Sequence, residues 1–357
     1  IISPWNYPFL LAMGPLVSAV AAGDSAILKP SEYTPNTLSV LEKIISEIFE
    51  PCEAAVVSGG ADTGQYLTSL PFDHIFFTGG TEIGKKVMKA AAENLTSVTL
   101  ELGGKSPAIV DDSANIPNAA RKIAWGKLIN AGQTCIAPDY LLLSKNIEEQ
   151  FLAAYKTAVE EIYGGAESFE NNVDYCRLIH KNHFERIKSL IDDAVSKGAK
   201  TLFPINFNEE KNFFSPNLIT NVTWEMKIMR EEIFGPLLPM MTYSSFEEIK
   251  NIINKNRSPL SLYIFSKKKK FIDVVLKEIP AGSTAVNGTV VQFANGNLPF
   301  GGRNGSGMGK AHGYYGFKTF SNEKSSLKQT ALSPLKLFYP PYTKTKERLI
   351  DFLIKYI

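Results

Sequence analysis

His74-Ile75-Phe76-Phe77-Thr78-Gly79-Gly80-Thr81-Glu82-Ile83-Gly84 is the stretch on which the fold turns. A short apolar run stops at Phe77, a glycine turn follows, and a helical pattern starts near Thr81. The helix expected over 83–94 leads straight into a second apolar run, 98–102. Two strands joined through a helix are parallel, and a parallel sheet needs cover on both faces.

The same alternation extends in both directions. Upstream, 26–28 and 54–57 read as buried strands, and 37–49 as a helix with Leu38, Leu41, Ile44, Ile45 and Ile48 at helical spacing. Downstream, strands at 108–110, 140–143, 201–203, 237–242 and 261–265 alternate with helices at 116–129, 148–162, 184–195, 246–254 and 271–279. The pattern predicts two α/β domains. We place their boundary at the glycines after strand 98–102, giving residues 1–102 and 103–305. The stretch 306–357 reads differently: glycine-rich, then polar, then LSPLKLFYPPYTKTKERLIDFLIKYI. It is expected to be an arm over a domain or a neighbouring subunit, ending in a short amphipathic helix.

Composition narrows the function. At 357 residues and 44% hydrophobic, the chain can fill two cores. Its 38 basic and 36 acidic residues nearly cancel, so no nucleic-acid partner is expected. The basic run at Lys267–Lys270 reads as a solvated helix start. Three cysteines are too few for a disulfide framework and fit a reducing, cytoplasmic setting. No apolar run reaches the roughly 18–20 residues of a membrane helix. The apolar opening is broken by Pro4, Pro8, Gly14 and Pro15 and lacks a basic flank, so it is not a signal peptide. The chain opens on Ile1 directly in an apolar segment, and the reading expects a start upstream with N-terminal architecture left open.

Several residues could carry chemistry. Gly79, Gly80 and Gly84 let backbone approach a ligand, and the helix N-terminus beside them favours phosphate. The spacing is not G-x-G-x-x-G, and a plain strand–helix turn is the alternative. Lys29 and Glu32 follow a strand end, where α/β sheets bind ligands; a surface ion pair is the other reading. Cys135, in NAGQTCIAPDY, is a candidate nucleophile beside the flexible Gly132, or else an inert cysteine. Cys52 and Cys176 lack such a setting and read as structural. Glu101 closes an apolar strand beside glycines, where burial would raise its basicity toward that of a general base. Asn6, between Trp5 and Tyr7 and flanked by prolines, could hold an oxyanion or simply cap a turn. Glu231-Glu232-Ile233-Phe234 suits a ribose and a flat ring, or is a polar loop. No metal site is expected.

Taken in order, PWNYP, LKPSE, FTGGTEIG, ELGGK, GQTC, EEIFGP and PFGG resemble the aldehyde dehydrogenase superfamily, from Pro4 to about Phe320. GQTCIAPDY and SGMGKAHGYYGF look most like its class 3 group, the fatty and aromatic aldehyde dehydrogenases. The resemblance implies two Rossmann-like α/β domains with a C-terminal arm, and a family N-terminal part missing from this sequence. It implies NAD or NADP as cofactor, an aldehyde substrate and a homodimer. By resemblance, Cys135 is the nucleophile and Glu101 the base that activates water. Asn6 and the Cys135 N–H form the oxyanion hole, and Lys29 and Glu32 hold the adenosine ribose. Gly79, Gly80 and Gly84 line the pyrophosphate, while Glu232 and Phe234 position the nicotinamide ribose and ring. Gly80 stands where the family often has Ser, and Arg303 where a small apolar residue is usual. The expected reaction is hydrolytic. Its rivals are a coenzyme-A-acylating dehydrogenase, which needs no strong base for water, and a cofactor-free thiol hydrolase.

Overall fold

Strand and helix alternate from the start, as the spacing predicts. The order is α1 (Pro8–Ala22), β1 (Ala26–Leu28), α2 (Pro35–Ile48), β2 (Ala54–Val56), α3 (Ala61–Thr68), β3 (His74–Gly79), α4 (Thr81–Ala92) and β4 (Ser97–Leu102). It continues with β5 (Pro107–Val110), α5 (Ile116–Leu128), β6 (Tyr140–Ser144), α6 (Glu148–Tyr163), α7 (Lys181–Ser196), β7 (Lys200–Thr201), β8 (Phe207–Asn208), β9 (Phe213–Phe214), β10 (Asn217–Thr220), α8 (Lys227–Arg230) and β11 (Leu237–Tyr243). Last come α9 (Phe246–Lys255), β12 (Ser261–Phe265), α10 (Lys269–Glu278), β13 (Ser283–Val286), β14 (Gly307–Met308), α11 (Gly313–Thr319) and α12 (Lys344–Tyr356). This computed structural model describes residues 1–256, 258–330, 335 and 338–356. Residues 1–321 form one compact unit and 322–357 a second.

The opening apolar segment is helical. Pro8 occupies the first turn, where a missing N–H costs nothing, and Gly23 ends the helix at φ 90°. Ala12, Leu16 and Ala19 form the buried stripe of α1, and Ala12 and Leu16 pack with Leu28, Leu41, Ile45 and Ala54. β1 and β2 pair in parallel, as do β3 and β4, and β14 adds antiparallel to β4. Ile2 joins the pairs: its N–H donates to Phe76 (2.8 Å), its carbonyl accepts from Thr78 (3.0 Å), and it also bridges to Lys29. Residues 1–3 thus lie between β1 and β3 and deliver Pro4–Tyr7 to the ends of these strands.

The larger sheet runs β13-β12-β5-β6-β11-β10-β7, with only β7 antiparallel among the described strands. Its centre is apolar on both faces. Ala108, Val110, Leu141, Leu143, Tyr263 and Phe265 feed one core; Ile109, Tyr140, Leu142, Leu262 and Ile264 feed the other. Alternation with period two on near-continuous hydrophobic runs is what a doubly covered sheet requires. The strand expected at 201–203 is instead Lys200–Thr201; beyond it the Leu202 N–H still donates to the Leu218 carbonyl (2.9 Å), and the Asn217 side-chain oxygen accepts from Leu202 and Phe203 (3.0 and 3.1 Å). Gly103 and Gly104 connect β4 of the small sheet to β5 of the large one. α11 packs on α1, with Gly316 facing Ser18.

In the second unit, α12 is the amphipathic helix expected near the end, with a Phe352–Tyr356 ring contact of 4.8 Å. Of the tail sequence, residues 332–334, 336, 337 and 357 lie outside the described residues. No helix among the described residues is long and apolar enough to cross a membrane.

Candidate active site

Six chain segments converge on one cleft of about 280 Å³: Pro4–Asn6, the end of β3 with Gly80, the end of β4 with Gly103, Cys135, His183 with Arg186 on α7, and Glu232 with Phe234. Of the residues singled out in the sequence, Asn6, Gly79, Gly80, Glu101, Cys135, Glu232 and Phe234 line it. Lys29, Glu32 and Gly84 do not. The cleft lies where β3 and β4 end, the edge at which α/β sheets bind ligands.

Cys135 is placed by an unusual turn after α5. Asn130, Ala131 and Gly132 take φ of 53°, 51° and 75° in succession. A Cβ at Gly132 would stand 2.1 Å from the Gly235 carbonyl, so only glycine allows this approach. Gln133 is buried, with its amide donating to Asn130 and Arg177 (3.0 Å each) and its oxygen accepting from Ile179 (3.0 Å). Next to it, Thr134 bonds the Tyr7 hydroxyl (2.8 Å). Tyr7 follows Asn6, so the neighbour of Cys135 and the neighbour of Asn6 are tied together.

The thiol is free, half-buried and packed beside Ile136, Leu260 and Phe300. Burial pushes it up to about 12, the Glu232 and Glu101 carboxylates add to this, and the N–H groups of Cys135 and Ile136 pull it down. Both carboxyls are themselves raised. Glu101 is buried with neither oxygen hydrogen-bonded, and burial holds it well above the carboxylate range against the pull of Lys310. Glu232 is pushed up to about 8 by burial and then by Asp139, while a bond from the Gly104 N–H opposes this. Glu232, at about 8, is therefore mostly neutral at pH 7, which limits its repulsion of a thiolate. The burial that the sequence implied for Glu101 is present.

Glu232 lies directly over Gly103, where a Cβ would stand 1.8 Å from Oε2. Its segment is fixed by residues that the sequence reading passed over. Lys105 forms a buried ion pair with Asp139 and donates to the carbonyls of Ile228 (2.8 Å) and Glu231 (2.9 Å). Asp139 accepts from the Ile233 N–H (3.0 Å). Arg186 donates to the Glu232 and Ile233 carbonyls. His183 Nε2 donates to the Phe234 carbonyl (2.8 Å), and burial then Arg186 hold His183 down to about 4, hence neutral. Phe234 sits at φ 51° with Trp5 edge-on at 5.3 Å. Lys105 and Asp139 stood inside the quoted ELGGK and GQTCIAPDY; a charge bounded by apolar strands was the signal that could have found them. Arg186 lay on the helix expected at 184–195 and His183 just before it, and neither was singled out; the observed helix begins at Lys181 and holds both.

The remaining candidates lie outside the cleft lining. Lys29 is buried and pairs with the more exposed Glu32 at 3.1 Å. Gly84 faces Leu102, whose Cδ2 would be 2.5 Å from a Cβ there, so its smallness seats α4 on β4. Cys52 and Cys176 are exposed rather than built into a core. Among the described residues, no three His, Cys, Asp or Glu side chains group in a way that could hold a metal.

Known proteins share this arrangement of chain. The 4,4'-diaponeurosporen-aldehyde dehydrogenase of Staphylococcus aureus is 43% identical over 355 residues, spanning 99% of this chain and 76% of that protein. The mouse aldehyde dehydrogenase family 3 member A2 is 42% identical over 356 residues, 99% of this chain and 72% of its own. Among solved structures, substrate-bound Staphylococcus aureus AldH superposes with a TM-score of 0.93 at 42% identity, over 99% of this chain and 76% of that one. An NAD-dependent aldehyde dehydrogenase from Sinorhizobium meliloti gives 0.84 at 30% identity, over 96% and 67%. The model of the aldehyde dehydrogenase family matches residues 1–326. With two sheets meeting at a cleft that holds a cysteine, a buried glutamate and an amide, and with relatives this close, the chain belongs to the aldehyde dehydrogenase family.

Proposed function

We propose that this enzyme oxidises aldehydes to carboxylic acids with NAD or NADP, with Cys135 as covalent nucleophile and water as acyl acceptor. One observation carries the reading: Asn6, Glu101 and Cys135, distant in sequence, line one cleft in which Glu101 is buried with both oxygens unpartnered. A carboxyl kept free in this way suits a base for water, and an acylating reaction would have no use for it.

The residues present fit a dinucleotide. No side chain caps the N-terminus of α4, and the space beside Gly80 is open, so first-turn N–H groups can meet a phosphate. Gly79 and Gly80 would line the pyrophosphate, with Gly84 seating the helix. Lys29 and Glu32 would hold the adenosine ribose, and Glu232 and Phe234 the nicotinamide ribose and ring. The bound cofactor supplies an acceptor for the hydride that leaves the substrate carbon.

The Cys135 thiol gives its proton to solvent, Sγ bonds the aldehyde carbon, and the C=O π pair moves onto oxygen. The resulting oxyanion takes hydrogen bonds from the Asn6 amide and the Cys135 N–H. After oxidation the carbon remains on sulfur as a thioester. Glu101 takes a proton from water, the hydroxide adds to the thioester carbon, and the C–S bond breaks to give the acid and the thiolate. We assign residues 1–102 to cofactor binding, 103–305 to the nucleophile and 306–357 to an arm, in a homodimer of the cytoplasm. Three free cysteines support the reducing setting.

Stopped-flow absorbance at the reduced-nicotinamide band tests the reaction. Cys135→Ala should abolish turnover and keep cofactor binding. Glu101→Gln should leave a burst of reduced cofactor followed by slow acid release. Dehydrogenase activity in Cys135→Ala would refute the reading.

A further inference from the structure

Residues 300–311 fold back beside the strand that carries Glu101. Phe300 and Ala311 exchange both main-chain bonds (3.1 and 2.7 Å), and the Lys310 carbonyl accepts from Thr319 Oγ1, so the backbone at Lys310 is held on both sides. A Cβ at Gly301 would stand 2.8 Å from Glu101 Oε1 and 3.1 Å from Lys310 Cδ. Those two distances together cap the separation of carboxylate oxygen and lysine stem at 5.9 Å. The lysine Nζ nevertheless donates elsewhere, to the carbonyls of Gly301 and Gly302. Both oxygens of the buried Glu101 stay without a hydrogen bond.

Little else faces this carboxyl with a charge. β3 places Thr78 opposite Glu101 and β14 places Gly307 there, and neither titrates. The cleft adds the Cys135 thiol and Glu232, and from α7 His183 and Arg186, whose guanidinium is bonded to the Glu232 and Ile233 carbonyls. Lys310 is the one cation that pulls Glu101 down among the described residues; burial lowers Lys310 in turn, and Glu101 opposes that.

We propose that Lys310 is a positioning residue for the reaction, biasing Glu101 toward its carboxylate from one side while its ammonium stays tied to the Gly301 and Gly302 carbonyls. This rests on the reading of Glu101 as the base. The arrangement reconciles two demands. A buried carboxyl with no cation nearby would stay protonated and could not accept a proton. A direct ion pair would occupy an oxygen and weaken it as a base. A cation close by but bonded to carbonyls keeps the charge available and both oxygens free for water.

The test measures acid release from the acyl-enzyme against pH in single turnovers of the full chain. Lys310→Gln, which keeps a donor for the carbonyls, should move the acidic limb up by about one pH unit, the low end of what a nearby opposite charge gives a carboxyl. Release would then be roughly tenfold slower on that limb. The plateau rate and the aldehyde KM should hold. Lys310→Arg should restore the limb. Lys310→Met serves as a second charge-free variant, with Tm checking that each variant folds. A limb unmoved in Lys310→Gln, or moved downward, while Glu101→Gln remains slow, overturns the role of Lys310 alone. An unchanged rate in Glu101→Gln overturns the base, and the inference with it.

Discussion

Gly103→Ala should cripple cofactor binding without touching any group that reacts. The Glu232 carboxylate lies over Gly103, and a methyl there would begin 1.8 Å from Oε2 and 2.5 Å from Cδ. Carbon–oxygen contacts tolerate no less than about 3.0 Å, so the carboxylate must retreat by at least 1.2 Å, and it loses its bond from the Gly104 N–H. At pH 9, where Glu232 is mostly ionised, the cofactor ribose would then lose charge-assisted hydrogen bonds worth about 1.5–3 kcal/mol, or roughly 10- to 150-fold in Kd. The assay is a fluorescence titration with NAD of four proteins: wild type, Gly103→Ala, Glu232→Ala and the double variant. Truncating Glu232 removes the clash, so the second substitution should add little to the first, a coupling energy close to the whole single effect. Additive losses in the double variant, or tight binding by Gly103→Ala, would refute the reasoning. A fall in Tm shared by Gly103→Ala and the double variant would instead report backbone damage.

Three further outcomes are expected. Asn6→Ala should lower kcat by about 10²–10³ with a small change in KM, read in steady state, because it removes one oxyanion donor; an unchanged kcat would free Asn6 from that role. Alkylation of Cys135 by iodoacetamide, followed site by site in a mass spectrometer, should be faster in Glu232→Gln. The gap should open above pH 8, where Glu232 gains the charge that raises the thiol; a gap equally wide at pH 6 would contradict the electrostatic account. Lys127 is buried with its Nζ unpartnered, and burial pulls it from 10.5 down to about 8. Below pH 8 both folded and unfolded chains hold its proton. Between about 8 and 10.5 only the unfolded chain does, so this group makes stability rise with pH by about 1 kcal/mol per unit. Urea unfolding of wild type against Lys127→Met should show that contribution vanish in the variant.

The order of strands and helices was legible because each central strand is apolar on both faces and each helix shows one apolar stripe. The sequence was poorer where a side chain replaced the backbone partner, as Asn217 does at Phe203. It was also poorer where chain from far away completed a sheet, as Ile2 and Gly307–Met308 do. Cys135 and Glu101 could be named from local context, since a cysteine after a glycine turn and a glutamate at a strand end advertise themselves. The partners of Lys105, Asp139, His183 and Arg186 could not, because they are carbonyls and charges up to 126 residues away. No local pattern encodes such a distance. Gly84 was read for a ligand, and the structure shows what its smallness does directly: it lets a helix settle on Leu102.

The pairing of β14 with β4 sets a schedule for the making of this enzyme. Glu101 leaves the ribosome about 200 residues before Gly307, the residue that pairs with it across the sheet. At roughly 5–20 residues per second, the edge of that strand waits roughly 10–40 s for its last neighbour. Throughout that interval a flat row of N–H and C=O groups stands ready to zip onto any passing strand. Chains cut short before 307 would keep that edge for good, and should be found in inclusion bodies rather than in the supernatant.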